Sequence, residues 1–233
     1  MKLDISAEVF AKFPGLNIGV VVIKGANNRG QSREIAKLIE RSEREIREKY
    51  KLETLSQQHK IQVWRKAYSA FGAKPKKYKS SVESLYWMIL KGMPLRSINK
   101  IVDIYNLISL KHMVPVGGDD IDKVEKSIIL KFAEGGEPFQ PLNSSDMTAA
   151  KKGEVIYADE VEVLCRPWNW RECDKSKLTE ASRNVVLVAE GLPPVSQKEM
   201  GQIIGELSQL VIKYCGGQST IEILNPAKMY LEF

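Results

Sequence analysis

Hydrophobic positions in the first half of the chain predict one strand followed by four helices. Residues 16–24 are almost continuously Val and Ile, which is typical of a strand buried on both faces. Apolar residues then recur every three or four positions, the spacing of an amphipathic helix. We expect these helices over residues 29–51, 55–70, 80–92 and 95–110.

The second half has shorter apolar segments separated by glycines and polar residues, which is typical of strands. We expect the strands over residues 127–132, 154–158, 161–164, 185–190 and 219–224, and one helix over 196–214. The polar stretch at 139–152 is interpreted as an exposed loop. This order of elements favours an α+β fold rather than regular βαβ winding, with residues 1–233 forming a single domain.

The helix at 95–110 has an unusual polar face. Its apolar arc is broad, and Asn99, Asp103 and Asn106 follow one another at i, i+4 and i+7 beside it. Buried amides and carboxylates need hydrogen-bond partners, so such a stripe either braces the neighbouring backbone or lines a polar pocket. The helical wheel slightly favours bracing and leaves both interpretations open.

Composition restricts the class of protein. No apolar run approaches the roughly 20 residues of a membrane span, and the N-terminus shows no signal-peptide pattern. Three cysteines at unrelated spacings argue against a disulfide framework, so we expect a cytoplasmic protein. The net charge of +6 permits a polyanionic partner. Neither histidine, His59 nor His112, belongs to a catalytic or metal-binding motif, and we expect no metal or cofactor.

The segment at 64–79 combines six cations with four aromatic residues and no acid. Cations neutralise phosphates and aromatic rings stack on unpaired bases, so the segment is a candidate RNA contact. The candidate residues are Trp64, Arg65, Lys74, Lys76, Lys77 and Lys79. An equally good interpretation is a helix whose aromatic side chains face the core, followed by a solvated lysine loop.

Three segments read LRSINKIVDIYNLISLK at 95–111, PVGGDDIDKV at 115–124 and ILKFAEGGEPFQPLN at 129–143. Together they resemble the B3/B4 domain of the phenylalanyl-tRNA synthetase beta subunit. The segment GEVIYADEVEVLCRPWNWR at 153–171 is similar to free-standing members of that family. The resemblance implies a three-layered α+β module. It also implies a trans-editing deacylase that hydrolyses the ester of a misacylated tRNA.

The same resemblance implies which residues form the site. Tyr105, Asn106 and Gly117 match the positions around which the family performs hydrolysis, although the synthetase has threonine and histidine in place of Tyr105 and Gly117. Asp119 stands where the synthetase has phenylalanine, and Asp120 stands where it keeps an aspartate. An added carboxylate attracts a cationic side chain, so we expect the removed amino acid to be polar or cationic, similar to arginine, rather than tyrosine. The alternative interpretation is that Asp119 points to solvent or caps the following helix.

The CRPWNWR segment has two interpretations. Its residues Arg166, Trp168, Asn169, Trp170 and Arg171 form a platform for substrate or RNA, or they plug the core with tryptophan. For the whole chain, the expected partner is aminoacylated tRNA, with no DNA and no membrane, and the expected state is a monomer. The alternatives are an RNA-binding module without catalysis and a hydrolase of small esters or amides.

Overall fold

The computed structural model describes residues 1–233 as an α+β protein, which confirms the expected class. The helices are α1 (Ala7–Lys12), α2 (Arg33–Lys49), α3 (His59–Ala70), α4 (Ser81–Leu90), α5 (Lys100–His112) and α6 (Gln197–Cys215). The strands are β1 (Lys2–Ile5), β2 (Asn17–Lys24), β3 (Val116–Asp120), β4 (Ser127–Phe132), β5 (Pro138–Phe139), β6 (Thr148–Ala149), β7 (Val155–Ala158), β8 (Val163–Cys165), β9 (Val185–Gly191), β10 (Gln218–Leu224) and β11 (Tyr230–Glu232). Short 3-10 helices occupy Leu52–Gln57 and Ile121–Lys123.

Two sheets and a helical layer form the three layers. A mixed sheet has the order β11-β1-β4-β7-β8, in which only β1 and β4 run parallel, and an antiparallel sheet has the order β10-β2-β9-β3. One hydrophobic core lies between the sheets. A second core lies between the antiparallel sheet and the helices α2, α5 and α6.

Strand β2 is the centre of this packing, as its continuous Val/Ile run predicts. Val20 and Val22 face the core between the sheets, whereas Val21 and Ile23 face the helices. Helix α6 approaches β2 closely at Gly19, where a Cβ atom would lie 2.3 Å from Ile204 Cγ2. Only a residue without a side chain therefore fits at this crossing.

The predicted helices are present, and three of them begin later in the chain than expected. Helix α2 begins at Arg33, α3 at His59 and α5 at Lys100. Ser80 precedes α4 at the position of the predicted cap, but its side chain makes no capping hydrogen bond. The partner required for a capping box, Glu83, instead forms an ion pair with Arg65 at 2.5 Å.

Several short elements differ from expectation. Strands β1, β3 and β11 and helix α1 were not predicted, because each is too short to show a hydrophobic period. The stretch at 139–152 is not simply an exposed loop, since β5 pairs with β6 and both Phe139 and Ala150 are buried. No helix has the length and apolar character needed to cross a membrane.

Candidate functional site

A cavity of about 210 Å³ lies between the two sheets. Strands β3 and β9 form one wall, strands β1, β4 and β7 form the other, and the segment at 169–172 borders its mouth. The lining includes Gly117, Asp119, Tyr157, Cys165, Glu172 and Glu190. Alternation along β3 and β9 aims every second side chain into this space.

Three carboxyl groups face the cavity, and none of them forms an ion pair with a cation of the chain. Burial raises the pKa of Asp119 to about 6 and the pKa of Glu190 to about 6. Burial, with the charge of Asp119 second, raises the pKa of Glu172 to about 8. Without a cation beside them, burial therefore favours the protonated form of these acids, and a cation entering the cavity would favour the charged form.

Asp119 is fixed by one hydrogen bond. Ser176 Oγ donates to Asp119 Oδ1 at 2.5 Å, which opposes the effect of burial on the pKa of Asp119. Cys173 Sγ lies 3.2 Å from the same hydroxyl. The carboxylate of Asp119 is thus oriented but has no positive partner.

Gly117 makes room for Glu172. A Cβ atom at Gly117 would lie 3.1 Å from Glu172 Oε1, which is tighter than ordinary van der Waals contact. The backbone N–H of Gly118 hydrogen-bonds to Glu172 and works against the rise of its pKa. The space that a histidine side chain would enter here is next to an acid.

Glu190 holds the segment that borders the cavity mouth. Its Oε1 accepts hydrogen bonds from Tyr157 Oη and Trp168 Nε1, each at 2.7 Å, and its Oε2 accepts one from Asn169 Nδ2. Tyr68 Oη donates to Asn169 Oδ1 at 2.9 Å. The buried acid of β9 thereby ties this segment to β7 and α3.

The two tryptophans of CRPWNWR have different environments, one in the core and one in the cavity lining. Trp168 is 0% exposed and packs against Trp64 and Phe13, so it plugs the core and cannot serve as a platform for substrate. Asn169, Trp170 and Arg171 line the cavity, and the Arg171 guanidinium lies 5.7 Å from the Trp170 ring centroid.

Arg166 lies outside the cavity lining. Its guanidinium forms a two-pronged contact with Glu154, with Nε and Nη2 at 2.8 and 2.9 Å from the two carboxylate oxygens. Both side chains are largely buried. Arg166 therefore neutralises a structural acid rather than contributing to the candidate site.

Within the polar stripe of α5, Asn99 and Asp103 brace the backbone. Asn99 caps the helix, since its Oδ1 accepts from Val102 N at 3.0 Å, and its amide donates to Leu178 O. Asp103 accepts from Ile98 N at 2.9 Å and from the hydroxyl of Ser97. Both residues lie away from the cavity lining.

Asn106 and Tyr105 differ from those two. Asn106 is half-buried, and its side-chain amide has no hydrogen-bond partner within the chain. Tyr105 is buried, and its phenol lies close enough to Glu172 and Asp119 for their charges, after burial, to raise its pKa well above the ordinary value. Neither residue is part of the cavity lining.

Asp120 stabilises the local fold through hydrogen bonds. It accepts from Ser182 Oγ at 2.6 Å and from Asp122 N at 3.1 Å, and its side chain is buried on the face of β3 opposite Asp119. The two neighbouring aspartates thus separate into one that caps a turn and one that faces the cavity.

The basic and aromatic segment at 64–79 also has two parts, one packed in the protein and one lysine-rich. Trp64 is 2% exposed within the core and Arg65 is paired with Glu83, so this part follows the core interpretation, and Trp64 cannot stack on RNA. Lys74, Lys76 and Lys77 are exposed, and Lys79 Nζ lies 5.5 Å from the Trp87 ring centroid. None of the four lysines has an ion-pair partner.

The cavity offers no activated protein nucleophile. Burial raises the pKa of the Cys165 thiol well above its ordinary value, which leaves the sulfur protonated and weakly reactive. His112 lies 2.9 Å from Glu206, away from the cavity. The chain has no group of three His, Cys, Asp or Glu side chains placed to hold a metal ion.

Sequence reasoning missed Glu172 and Glu190. Glu190 had a signal, because it is a lone carboxylate at the end of the apolar run VVLVAEG, where burial requires partners. Glu172 had none, since it lies in an irregular segment that only the tertiary fold brings beside β3.

Comparisons with known proteins place these residues in a family context. The family model described as "B3/4 domain" matches residues 63–216. A phenylalanine–tRNA ligase beta subunit from Fusobacterium nucleatum is 32% identical over 75 residues, covering 32% of this chain and 9% of that protein. The corresponding subunit from Protochlamydia amoebophila is 25% identical over 144 residues, covering 59% of this chain and 18% of that protein.

A solved structure is also similar. It is an N-terminal fragment of the phenylalanyl-tRNA synthetase beta subunit from Pyrococcus horikoshii, with a TM-score of 0.48 and 13% sequence identity. The match covers 93% of this chain and 49% of the fragment. The chain spans less than a fifth of the length of the curated relatives it matches.

Proposed function

This chain belongs to the B3/4 domain family, and we propose that it is a trans-editing aminoacyl-tRNA deacylase that removes a cationic, arginine-like amino acid. The observation that carries the proposal is that Asp119 and Glu172 line the cavity without an ion pair to any cation of the chain, Arg171 of the same lining included. The third acid, Glu190, is held by hydrogen bonds from Tyr157, Trp168 and Asn169. The relatives named as phenylalanine–tRNA ligase beta subunits supply the link to aminoacylated tRNA.

The size of the cavity suits a single amino acid. Its volume of about 210 Å³ is below the roughly 300–1,000 Å³ of pockets for drug-sized ligands. A guanidinium group presents donors in a planar fork that matches a carboxylate, whereas an ammonium group is a compact point charge. Asp119, oriented by Ser176, provides such a carboxylate, which favours arginine-like side chains over lysine-like ones.

Tyrosine fits this cavity poorly. A phenol entering beside Asp119 would leave a desolvated charge without a cation, which is costly. Gly117 also removes the side chain with which the synthetase faces its substrate, and Glu172 lies close to the vacated position. The substrate preference therefore differs from that expected for an editing site directed at tyrosine.

The proposed chemistry is water-mediated ester hydrolysis. The oxygen of a bound water attacks the carbonyl carbon of the amino acid, and the bond from that carbon to the terminal ribose oxygen breaks. The attacking water gives up a proton, and the ribose oxygen gains it and leaves as a hydroxyl. Placing the water and stabilising the oxyanion with fixed donors supply most of the required acceleration. Asn106 on α5 lies outside the cavity lining, so its proposed role in placing the water rests on the family resemblance and on its unpaired amide.

The alternative is an RNA-binding module of the same fold without catalysis. The observation that favours it is Gly117, where the synthetase has histidine. Under this alternative tRNA binds and the ester survives.

The experiment that separates these functions is a screen of the purified protein against a panel of mischarged tRNAs. Ester hydrolysis and tRNA affinity are measured on the same preparation, the affinity across a range of salt concentrations. The proposal expects hydrolysis of tRNA charged with an arginine analogue. Salt-dependent binding without hydrolysis of any member supports the RNA-binding module instead. Hydrolysis of small esters without tRNA binding contradicts both.

A further inference from the structure

Helix α4 carries an aromatic and cationic cluster that the proposed site does not use. Trp87 is partly exposed on α4, and the ammonium groups of Lys79 and Lys91 lie 5.5 and 5.6 Å from the centroid of its ring. Lys79 precedes the helix and Lys91 follows it, so both ends of α4 direct a positive charge to the same indole.

The convergence of two like charges is only partly compensated within the protein. Neither lysine forms an ion pair, and Glu83, whose pKa responds to the charge of Lys79, is already bound by Arg65. Each cation gains some attraction from the ring, but the two repel one another. An anion bound between or beside them would relieve that repulsion, and an exposed aromatic face would stack on a planar partner.

The cluster is continuous with the cavity mouth. Tyr78, next to Lys79 in sequence, packs edge-on against Trp170 with ring centroids 4.9 Å apart. Trp170 and Arg171 line the cavity, and Lys77 Nζ lies 5.2 Å from the Tyr78 ring centroid. Cations and aromatic rings therefore alternate from the cavity to α4, the arrangement that suits a single-stranded nucleic acid.

We infer that α4 binds the single-stranded 3′ end of the tRNA whose terminal amino acid occupies the cavity. Trp87 stacks on an unpaired base, and Lys79 and Lys91 contact flanking phosphates. This inference rests on the proposed function for its partner. It adds a binding surface, in Trp87 and Lys91, beyond the residues that the sequence singled out.

The test compares intact, uncharged tRNA with the same tRNA trimmed of its unpaired 3′ nucleotides. The variant Lys79→Gln/Lys91→Gln is expected to bind intact tRNA roughly fivefold or more weakly and to lower the log–log salt slope by about 1.4, at about 0.7 per single-strand phosphate contact. On trimmed tRNA the variant and the wild type are expected to bind equally. Trp87→Phe keeps a stacking ring and is expected to retain binding, whereas Trp87→Leu loses it.

The matched control is Lys37→Gln/Lys198→Gln, which removes two exposed, unpaired lysines from α2 and α6. Equal weakening by the control pair, or an equal loss on trimmed tRNA, overturns the inference. Displacement of intact tRNA by polyglutamate as readily as by single-stranded RNA also overturns it, in favour of an acidic protein partner.

Failure of the proposed function gives a different result. If the wild-type protein binds tRNA and the α4 variants bind equally well, only the inference about α4 fails. If the wild-type protein binds no tRNA at low salt, the inference and the proposed tRNA substrate fail together.

Discussion

Two groups of buried acids in this protein have opposite electrostatic environments. Asp159 is buried at the end of β7, where burial acts to raise its pKa, but the Lys175 ammonium at 2.7 Å and three backbone N–H groups lower it overall. Asp119 and Glu172 line the cavity, half-buried and without a cation partner, and desolvation raises their pKa values. The first group supports the fold, and the second is open to a ligand.

The comparison shows that burial alone does not identify a functional acid. Glu154 is more deeply buried than Asp119 or Glu172, but Arg166 contacts both of its carboxylate oxygens. A folded protein that retains unpaired buried acids carries an electrostatic cost that a cationic ligand removes. The absence of a cation beside Asp119 is therefore the feature that points to the substrate.

The largest expected effect is on stability and comes from breaking the ion pair between Glu154 and Arg166. Arg166→Met leaves Glu154 buried without its cation, which is expected to lower the free energy of unfolding by about 3–5 kcal/mol. Urea denaturation measures this change. The double variant Glu154→Gln/Arg166→Met is expected to recover much of the loss. A loss below about 1 kcal/mol in the single variant would show that the pair is effectively exposed.

The next effect concerns an unmatched acid. Asp119→Asn removes the charge proposed to hold the substrate cation, and kcat/KM for the cationic substrate is expected to fall about a hundredfold, or roughly 2.7 kcal/mol. Stability is expected to hold, since no ion pair is lost. Asp122→Asn, on the exposed turn that follows β3, is the control. Equal losses in the two variants would argue against a specific role for Asp119.

A third prediction uses the pH dependence of stability. Because the pKa of Glu172 is about 8 in the folded protein, above its ordinary value, the folded state holds this proton more tightly than the unfolded state. Its contribution to stability is complete below the unfolded pKa and is lost as pH rises through 8. Glu172→Gln is therefore expected to flatten the decline in Tm toward alkaline pH. At pH about 9 the free energy of unfolding of the variant should exceed that of the wild type by about 2 kcal/mol, which corresponds to a rise in Tm of roughly 4–8 °C. Parallel wild-type and variant curves would contradict the unpaired state of Glu172.

The smallest effect belongs to the polar stripe of α5, in which Asn99 is satisfied and Asn106 is free. Asn106→Ala is expected to slow deacylation at least tenfold, about 1.4 kcal/mol of barrier, with little change in Tm. Single-turnover kinetics measure the rate. Asn99→Ala supplies the contrast, because it removes a helix cap and should lower stability by about 1 kcal/mol. Unfolding of the Asn106 variant would assign this residue to bracing as well.

The fold could be predicted where a hydrophobic pattern extends over many residues. The Val/Ile run of β2 is continuous, and the apolar stripes of α2 and α6 repeat with the helical period. The structure has these elements near the expected bounds. Strand β3 could not be predicted, because its sequence VGGDD contains two glycines and two acids. It forms because β9 offers a buried edge with which it can pair.

The site could be predicted only in part, because its residues come from distant segments. Gly117 and Asp119 were found through family resemblance, and both face the cavity. Trp64 and Trp168 carry the composition of a nucleic-acid contact but pack against each other, with ring centroids 4.9 Å apart. The sequence alone does not show whether an aromatic side chain is buried in the core or exposed to solvent. Glu172 reaches Gly117 through tertiary structure, which no local pattern records.

We propose that the cavity carboxyl groups that form no ion pair select a cationic amino acid on tRNA. The most direct measurement compares kcat/KM of the wild-type protein for arginine-specific tRNA charged with an arginine analogue and for phenylalanine-specific tRNA charged with tyrosine. We expect a ratio of about a hundred or more in favour of the arginine analogue. Efficient clearance of tyrosine with none of the arginine analogue would contradict it.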